Sequence, residues 1–451
     1  MKKKSELIFL PSPGIGHLAS TLEFAKLLIK TNNTLSITVL WINLLNTPIS
    51  DSYIKSVLNS QPQIHLIHLP QVESPPKELL ISPPCYIQSL MHNLTPHVKS
   101  TILSSHSNHV VALVLDIFLL GFNCNWAFSF IIHYGENYRD SRKREKKYNA
   151  DDLTNSGDNS GGNSGIFSGK SFEDISVNNS DDSSDKDSDV ISKKVFGVTS
   201  GDFPDSGHSP DVFSDNSNNN NNNKPLYHPI YAIGPLLDLK VKPNPNLDQS
   251  QHDLILKWLD KQPYQSVVFL CFGSMGVSFG TSQIREIALG LKNSGMRFLW
   301  SIKSPPEGFL DWMKLEGKGM TCEWAPQVEI LGHKAIGGFV SHCGWNSILE
   351  SLWFGVPILT WPIYAEQQLN AFRMVKELEL SVELRVDYRI GSKDVVMAEE
   401  IEKGLKNLMD RDNIVHKKVQ EMKEIARNVV VNGGSSFISV EILVNNMIGS
   451  N

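Results

Sequence analysis

The residues best equipped for chemistry are concentrated between Trp324 and Gln367, WAPQVEILGHKAIGGFVSHCGWNSILESLWFGVPILTWPIYAEQ. The apolar run Gly338 to Ser341 reads as a strand entering a glycine turn at Gly344. A helix follows from about Ser347 to Phe354, Gly355 stops it, and Val356 to Trp361 reads as the next strand. A glycine turn feeding a helix presents unpaired backbone N–H groups and the positive end of the helix dipole, which together receive a diphosphate. His342, Asn346 and Ser347 stand at that mouth as side-chain donors. Taken alone, Ser347-x-x-Glu350 fits a helix capping box equally well. An aromatic face such as that of Trp324 suits a pyrimidine, and the carboxylate and amide groups along the block suit vicinal hydroxyls.

A second group lies near the amino terminus, in FLPSPGIGHLAS. Gly14-x-Gly16-x-x-Ala19 fits the dinucleotide fingerprint between a first strand and a helix. That pattern alone supports a nicotinamide-dependent oxidoreductase, but the second strand, Ser36 to Ile42, runs into Asn43 where a ribose-binding carboxylate is required. His17 sits at the mouth of the helix, where an imidazole can accept a proton from a hydroxyl. Asp116 closes the apolar strand Val110 to Leu115. In a parallel sheet the carboxyl ends of all strands share one edge, so Asp116 and His17 can meet there, the carboxylate orienting the ring.

These groups need a scaffold, and strand and helix patterns alternate on both sides of a compositional break. Residues 1–120 read as strand Leu7 to Leu10, helix Leu18 to Ile29, strands Ser36 to Ile42 and Ile64 to Leu69, helix Tyr86 to Leu103 and strand Val110 to Leu115. From about Tyr134 the chain turns rich in Asn, Asp, Ser and Gly, ending in the run Asn218 to Asn223; residues 121–224, and 135–224 above all, are expected to be disordered. Alternation resumes over 225–435, with Thr281 or Ser282 expected to cap a helix over Gln283 to Leu291, and 436–451 reads as a final helix. A chain of 451 residues accommodates two such domains. Its net charge of -6 and the absence of a basic stripe argue against nucleic acid as a partner. The five cysteines are scattered, with no C-x-x-C, which argues against a disulfide framework and a zinc site and for a reducing compartment. Leu7 to Leu10 is too short for a signal-peptide core, so a cytoplasmic location is expected. Val110 to Ile132 is apolar enough to raise a membrane span, but Asp116, Asn123 and Asn125 oppose insertion. Asp410-Arg-Asp412 reads as a charged turn after a helix, and Asp185-Lys-Asp187 lies in the polar tract, so neither is taken as a metal-binding pair.

The block Trp324 to Gln367 resembles the nucleotide-sugar signature of plant family 1 UDP-glycosyltransferases, and the resemblance extends over residues 1–118 and 225–451. It implies an α/β chain of the GT-B fold, two Rossmann-like doubly wound domains facing a cleft, with the N-terminal acceptor domain incomplete because 119–224 departs from the pattern. By the same resemblance Trp324 would stack on uracil and the Ala325 backbone would read the base edge. Gln327 and Glu350 would hold the ribose, and His342, Asn346, Ser347 and Ser274 the phosphates. Trp345 would line the sugar pocket, while Trp361, Glu366 and Gln367 would hold the sugar hydroxyls. His17 and Asp116 match a catalytic pair. Gln367 at the end of the block points to glucose, so UDP-glucose is the co-substrate and a small-molecule hydroxyl the acceptor. The resemblance implies no metal, no further cofactor and a monomer. A UDP-sugar-binding protein with little or no transfer is the alternative that the altered 119–224 segment favours.

Overall fold

The computed structural model describes residues 5–13, 15–42, 48–73, 75–76, 83–104, 110–116, 130–134, 231–239, 249–273, 279–303, 317–364, 366–389 and 394–448. The first half of the chain supplies β1 (Ser5–Leu10), α1 (Ile15–Thr31), β2 (Leu35–Trp41), α2 (Pro48–Ser60), β3 (Ile64–His68), α3 (Pro83–Ser104), β4 (Val110–Asp116) and β5 (Phe130–Tyr134). These strands form a sheet in the order β3-β2-β1-β4-β5. β1 lies between β2 and β4 and parallel to both, with Phe9 opposite Val39 and Leu10 opposite Leu115. Every residue of β1 is buried, as expected of a central parallel strand covered on both faces.

Two features of this half differ from the sequence reading. α2 has no counterpart there, because its sequence, PISDSYIKSVLNS, is largely polar and shows no long apolar stripe, although Ile54 and Val57 enter the core and Leu58 packs against it. The expectation that all of 121–224 is disordered fails near its start, where Phe130–Tyr134 pairs antiparallel with β4, Leu113 opposite His133. The run FIIHY is short but rich in branched and aromatic residues, which favour a strand. The expected disorder over 135–224 and the pair Asp185 and Asp187 lie outside the described residues.

The second half supplies α4 (Gln249–Asp260), β6 (Val267–Cys271), α5 (Thr281–Ser294), β7 (Arg297–Ser301), β8 (Gly319–Cys322), α6 (Gln327–Leu331), β9 (Ile336–Ser341), α7 (Trp345–Phe354), β10 (Ile358–Thr360) and α8 (Gln367–Phe372). A π-turn over Arg373–Glu377 leads to β11 (Ser381–Glu383), α9 (Ala398–Met409), α10 (Ile414–Asn428) and α11 (Ser435–Ile448). The sheet order is β11-β10-β9-β6-β7-β8, and every pairing is parallel. Phe269 and Phe339 stack between the two central strands with ring centroids 5.1 Å apart. α5 begins two residues earlier than expected, at Thr281: Gly280 is its cap residue and no side chain, neither Thr281 nor Ser282, caps it. Asp410 follows α9 in a turn where its carboxylate accepts from the Asp412 N–H at 3.1 Å, as the charged-turn reading requires.

α11 packs against the other half. Val440, Leu443, Val444 and Met447 are buried in one cluster with Leu7, Leu22 and Phe24 of the first sheet and α1. Tyr231, Ile233 and Leu236 pack on the same cluster. Ser436 Oγ donates to the Gly234 carbonyl, and Asn446 Nδ2 donates to the Tyr231 hydroxyl. No helix among the described residues is long and apolar enough to cross a membrane.

Candidate active site

The turn between β9 and α7 is set by its glycines and by buried polar contacts. Cys343 adopts a left-handed backbone with φ 62. Its carbonyl accepts from Asn370 Nδ2 at 3.0 Å, and its N–H donates to Ser341 Oγ at 3.1 Å. The cap residue of α7 is Gly344, and no side chain caps the helix. The capping-box reading of Ser347 and Glu350 therefore fails, because Ser347 lies inside the first turn and not at its start. Ser347 Oγ instead accepts from Gln327 Nε2 at 2.9 Å, and the same nitrogen donates to Glu350 Oε2 at 2.7 Å. Gln327, Ser347 and Glu350 thus form one polar cluster joining the start of α6 to α7, and the N–H groups at the α7 mouth remain uncapped by side chains.

His342 is buried directly before this mouth. A Cβ at Gly344 would lie 2.5 Å from its Nε2, and one at Gly273, whose φ is +91, would lie 2.9 Å away. Two glycines thus leave a notch that the imidazole fills. Burial pushes His342 down to about 4, against the raising effect of the Cys271 backbone, so the ring is neutral near pH 7. Trp324 is half-buried ahead of α6 and Ala325 is buried beside it; Trp345 is half-buried in the first turn of α7. Gln367 Oε1 accepts from the backbone N–H groups of Ile363 at 2.9 Å and Tyr364 at 3.1 Å, which leaves Nε2 as the donating end of its amide.

Trp361 is placed differently from its neighbours in sequence. It is fully buried, with Phe272, Phe279 and Tyr388 around it at centroid distances of 5.5, 5.7 and 5.9 Å. A direct contact of this indole with sugar hydroxyls is therefore set aside, and Trp361 is a packing residue behind the site.

The facing wall comes from the first half. α1 begins at Ile15, earlier than its apolar stripe suggests, so Gly16 and His17 lie in its first turn. Asn346 Nδ2 reaches the Gly16 carbonyl at 3.5 Å, and Ser20 Oγ donates to Asn346 Oδ1 at 3.3 Å. Burial raises the Glu366 carboxyl, while its own backbone N–H and the neighbouring His17 oppose that rise. Asp116 ends β4 one residue beyond the Leu10–Leu115 pairing, at the strand edge from which the chain enters α1. Ser274 and Gly14 lie outside the described residues. The thiols of Cys271, Cys322 and Cys343 are free and buried, and burial pushes them up to about 11, 12 and 12, which removes them as nucleophiles near neutral pH.

Residues 240–429 match the family model described as UDP-glucoronosyl and UDP-glucosyl transferase. UDP-glycosyltransferase 71K2 from Pyrus communis is 41% identical over 497 aligned residues, which cover 100% of this chain and 99% of that protein. The chain belongs to the plant UDP-glycosyltransferase family. Flavonol 3-O-glucosyltransferase UGT71C4 from Arabidopsis thaliana is 38% identical, with 97% of each chain covered. The crystal structure of Medicago truncatula UGT71G1 complexed with UDP-glucose is similar over 99% of each chain, with 49% identity and a TM-score of 0.74.

This glycosyltransferase therefore has the GT-B arrangement of two Rossmann-like domains, and the nicotinamide reading of its first glycines falls. The Gly16 carbonyl instead meets the Asn346 amide of the other half at 3.5 Å. Sequence reasoning missed Ser20 and Tyr364. Ser20 stands one turn after Gly16, but a serine inside an amphipathic helix carries no signal of a partner in the other domain. Tyr364 is half-buried beside Glu366 and Gln367; burial and the Glu366 charge push its hydroxyl up, with the Gln367 amide opposing.

Proposed function

We propose that this chain transfers glucose from UDP-glucose to a hydroxyl of a small plant metabolite, with inversion at the anomeric carbon. The observation that carries the reading is the contact of the His17 turn of α1, through Gly16 and Ser20, with Asn346 at the uncapped mouth of α7, with the Gln327, Ser347 and Glu350 cluster alongside. Trp324 stacks on uracil and the Ala325 backbone reads its edge; Gln327 and Glu350 hold the ribose. His342, Asn346, Ser347 and Ser274 hold the diphosphate, Trp345 lines the sugar pocket, and Glu366 and Gln367 hold the sugar hydroxyls. His17 takes the acceptor's proton, the acceptor oxygen forms its bond to the anomeric carbon, and UDP leaves with the electron pair of the bond that breaks. Asp116 orients the imidazole and stabilises its cation. The charge arriving on the diphosphate meets the N–H groups and dipole of α7, and this reading assigns no step to a metal.

The acceptor side is proposed to be weak. The sequence of 119–224 departs from the acceptor-domain pattern that the family resemblance implies, and misplacing an acceptor by about 1 Å costs on the order of a hundredfold. The chain is proposed to act as a monomer in the cytoplasm. The deciding assay is UDP release from UDP-glucose with a panel of small phenols. Slow transfer that His17→Ala abolishes supports the reading, brisk turnover removes the impairment, and UDP binding without transfer favours the donor-binding alternative. Base–aromatic stacking is worth about 1–3 kcal/mol, so Trp324→Ala is expected to weaken UDP binding roughly tenfold. An unchanged dissociation constant would remove uracil stacking.

A further inference from the structure

We infer that Ser20 is a positioning residue for the transfer, acting through the side-chain amide of Asn346 to fix the first turn of α1 against the mouth of α7. The inference rests on the transferase reading above.

Ser20 is 5% exposed, and its hydroxyl donates to Asn346 Oδ1 at 3.3 Å. The other end of the same amide, Nδ2, reaches the Gly16 carbonyl at 3.5 Å. Gly16 and Ser20 are four residues apart, so they lie above one another on α1, and His17 belongs to the turn between them. Asn346 is in the first turn of α7, among the N–H groups that receive the diphosphate. One amide therefore touches both the turn that carries the base and the turn that carries the leaving group.

An asparagine amide is nearly symmetric in shape but not in chemistry, since its oxygen only accepts and its nitrogen only donates. The Gly16 carbonyl requires the nitrogen on its side, and the Ser20 hydroxyl supplies a donor to the oxygen. With that orientation held, Nδ2 spends one hydrogen on Gly16 and keeps a second to donate to a phosphate oxygen. Without the Ser20 hydroxyl, Oδ1 loses its partner and the amide can turn, presenting an acceptor to an anion and releasing the His17 turn. Ser20 does not touch the reacting atoms, so its effect belongs to geometry: the spacing of base and donor, where about 1 Å is worth on the order of a hundredfold.

The test is a double-mutant cycle in steady-state kinetics with UDP-glucose and a small phenol. Ser20→Ala is expected to lower kcat about tenfold with KM for UDP-glucose changed less than about threefold, and Ser20→Thr, which keeps the hydroxyl, to retain most of the rate. In an Asn346→Ala background the further effect of Ser20→Ala is expected to shrink below about twofold, because the two residues act as one unit. Equal effects in both backgrounds, or a full kcat for Ser20→Ala, would overturn the inference. Absence of transfer by the unaltered chain would refute the reading beneath it, and the contact is then judged by hydrogen exchange of the α1 first turn in the ligand-free protein. Faster exchange in each single variant with no further gain in the double variant supports the tether, and additive gains sink it.

Discussion

His342, proposed above to hold the diphosphate, also governs the stability of the chain. Its ring fills the notch between Gly273 and Gly344, and burial holds it neutral down to about 4. An unfolded chain protonates the same ring near 6.5, so between these values the unfolded state binds more protons than the folded one. The contribution of His342 is complete above pH 6.5 and is lost as the pH falls towards 4, by on the order of 3 kcal/mol. Urea unfolding from pH 7 to 4.5 is expected to show this loss, and His342→Gln to flatten the slope; an unchanged slope would show that the ring is not held neutral. At this scale the donor block was legible because tryptophan, histidine, amide and carboxylate groups are crowded around a glycine turn. Trp361 misled for a physical reason: side-chain type shows what an indole can do, whereas burial against Phe272, Phe279 and Tyr388 depends on which way the chain leaves β10.

A helix mouth that is to receive an anion, as proposed for α7, must forgo a side-chain cap, and α7 does so through Gly344. Serine at such a position ordinarily exceeds glycine by only a few tenths of a kcal/mol. At Gly344 the added Cβ would stand 2.5 Å from His342 Nε2, and overpacking a buried site costs about 1–3 kcal/mol. The second effect wins, so Gly344→Ser is expected to lower the melting temperature and weaken UDP binding, although propensity alone forecasts a more stable helix. A higher melting temperature with unaltered UDP affinity would show that the notch yields freely. Gly355 at the other end is in the left-handed region, φ 75, with its N–H on the Leu352 carbonyl, which is the stop that the sequence marks. Element types came through where an apolar run was long, as in α1 and β4. The caps of α5 and α7 did not, because a serine or threonine near a helix start fits both the cap and the first turn. Nor did β5, whose few residues gain their place only from the neighbouring strand.

The two halves of the molecule depend on one another more than their separate sheets suggest. The amphipathic pattern of the last residues forecasts a helix, but a pattern shows only that a face is buried, not against what. α11 buries Val440, Leu443, Val444 and Met447 in the core of the first half, next to Leu22 and Phe24 of the helix that carries His17. Full burial of such side chains is worth about 1.5–3 kcal/mol each, or roughly 6–12 kcal/mol for the set, comparable with the roughly 5–15 kcal/mol that holds a whole domain. A chain ending at Gly434 also loses the Ser436 and Asn446 contacts to Gly234 and Tyr231. The residues proposed to hold the donor on α6, α7 and α8 keep their own core, formed around β6, β9 and β10. Truncation is therefore expected to strip hydrogen-exchange protection from β1, β2 and α1 and to abolish transfer, while UDP affinity stays within about threefold, a change below roughly 0.7 kcal/mol. Unchanged protection of α1 in the truncated chain would show that the first half folds without α11, and parallel loss of UDP binding would show that the halves fold as one unit.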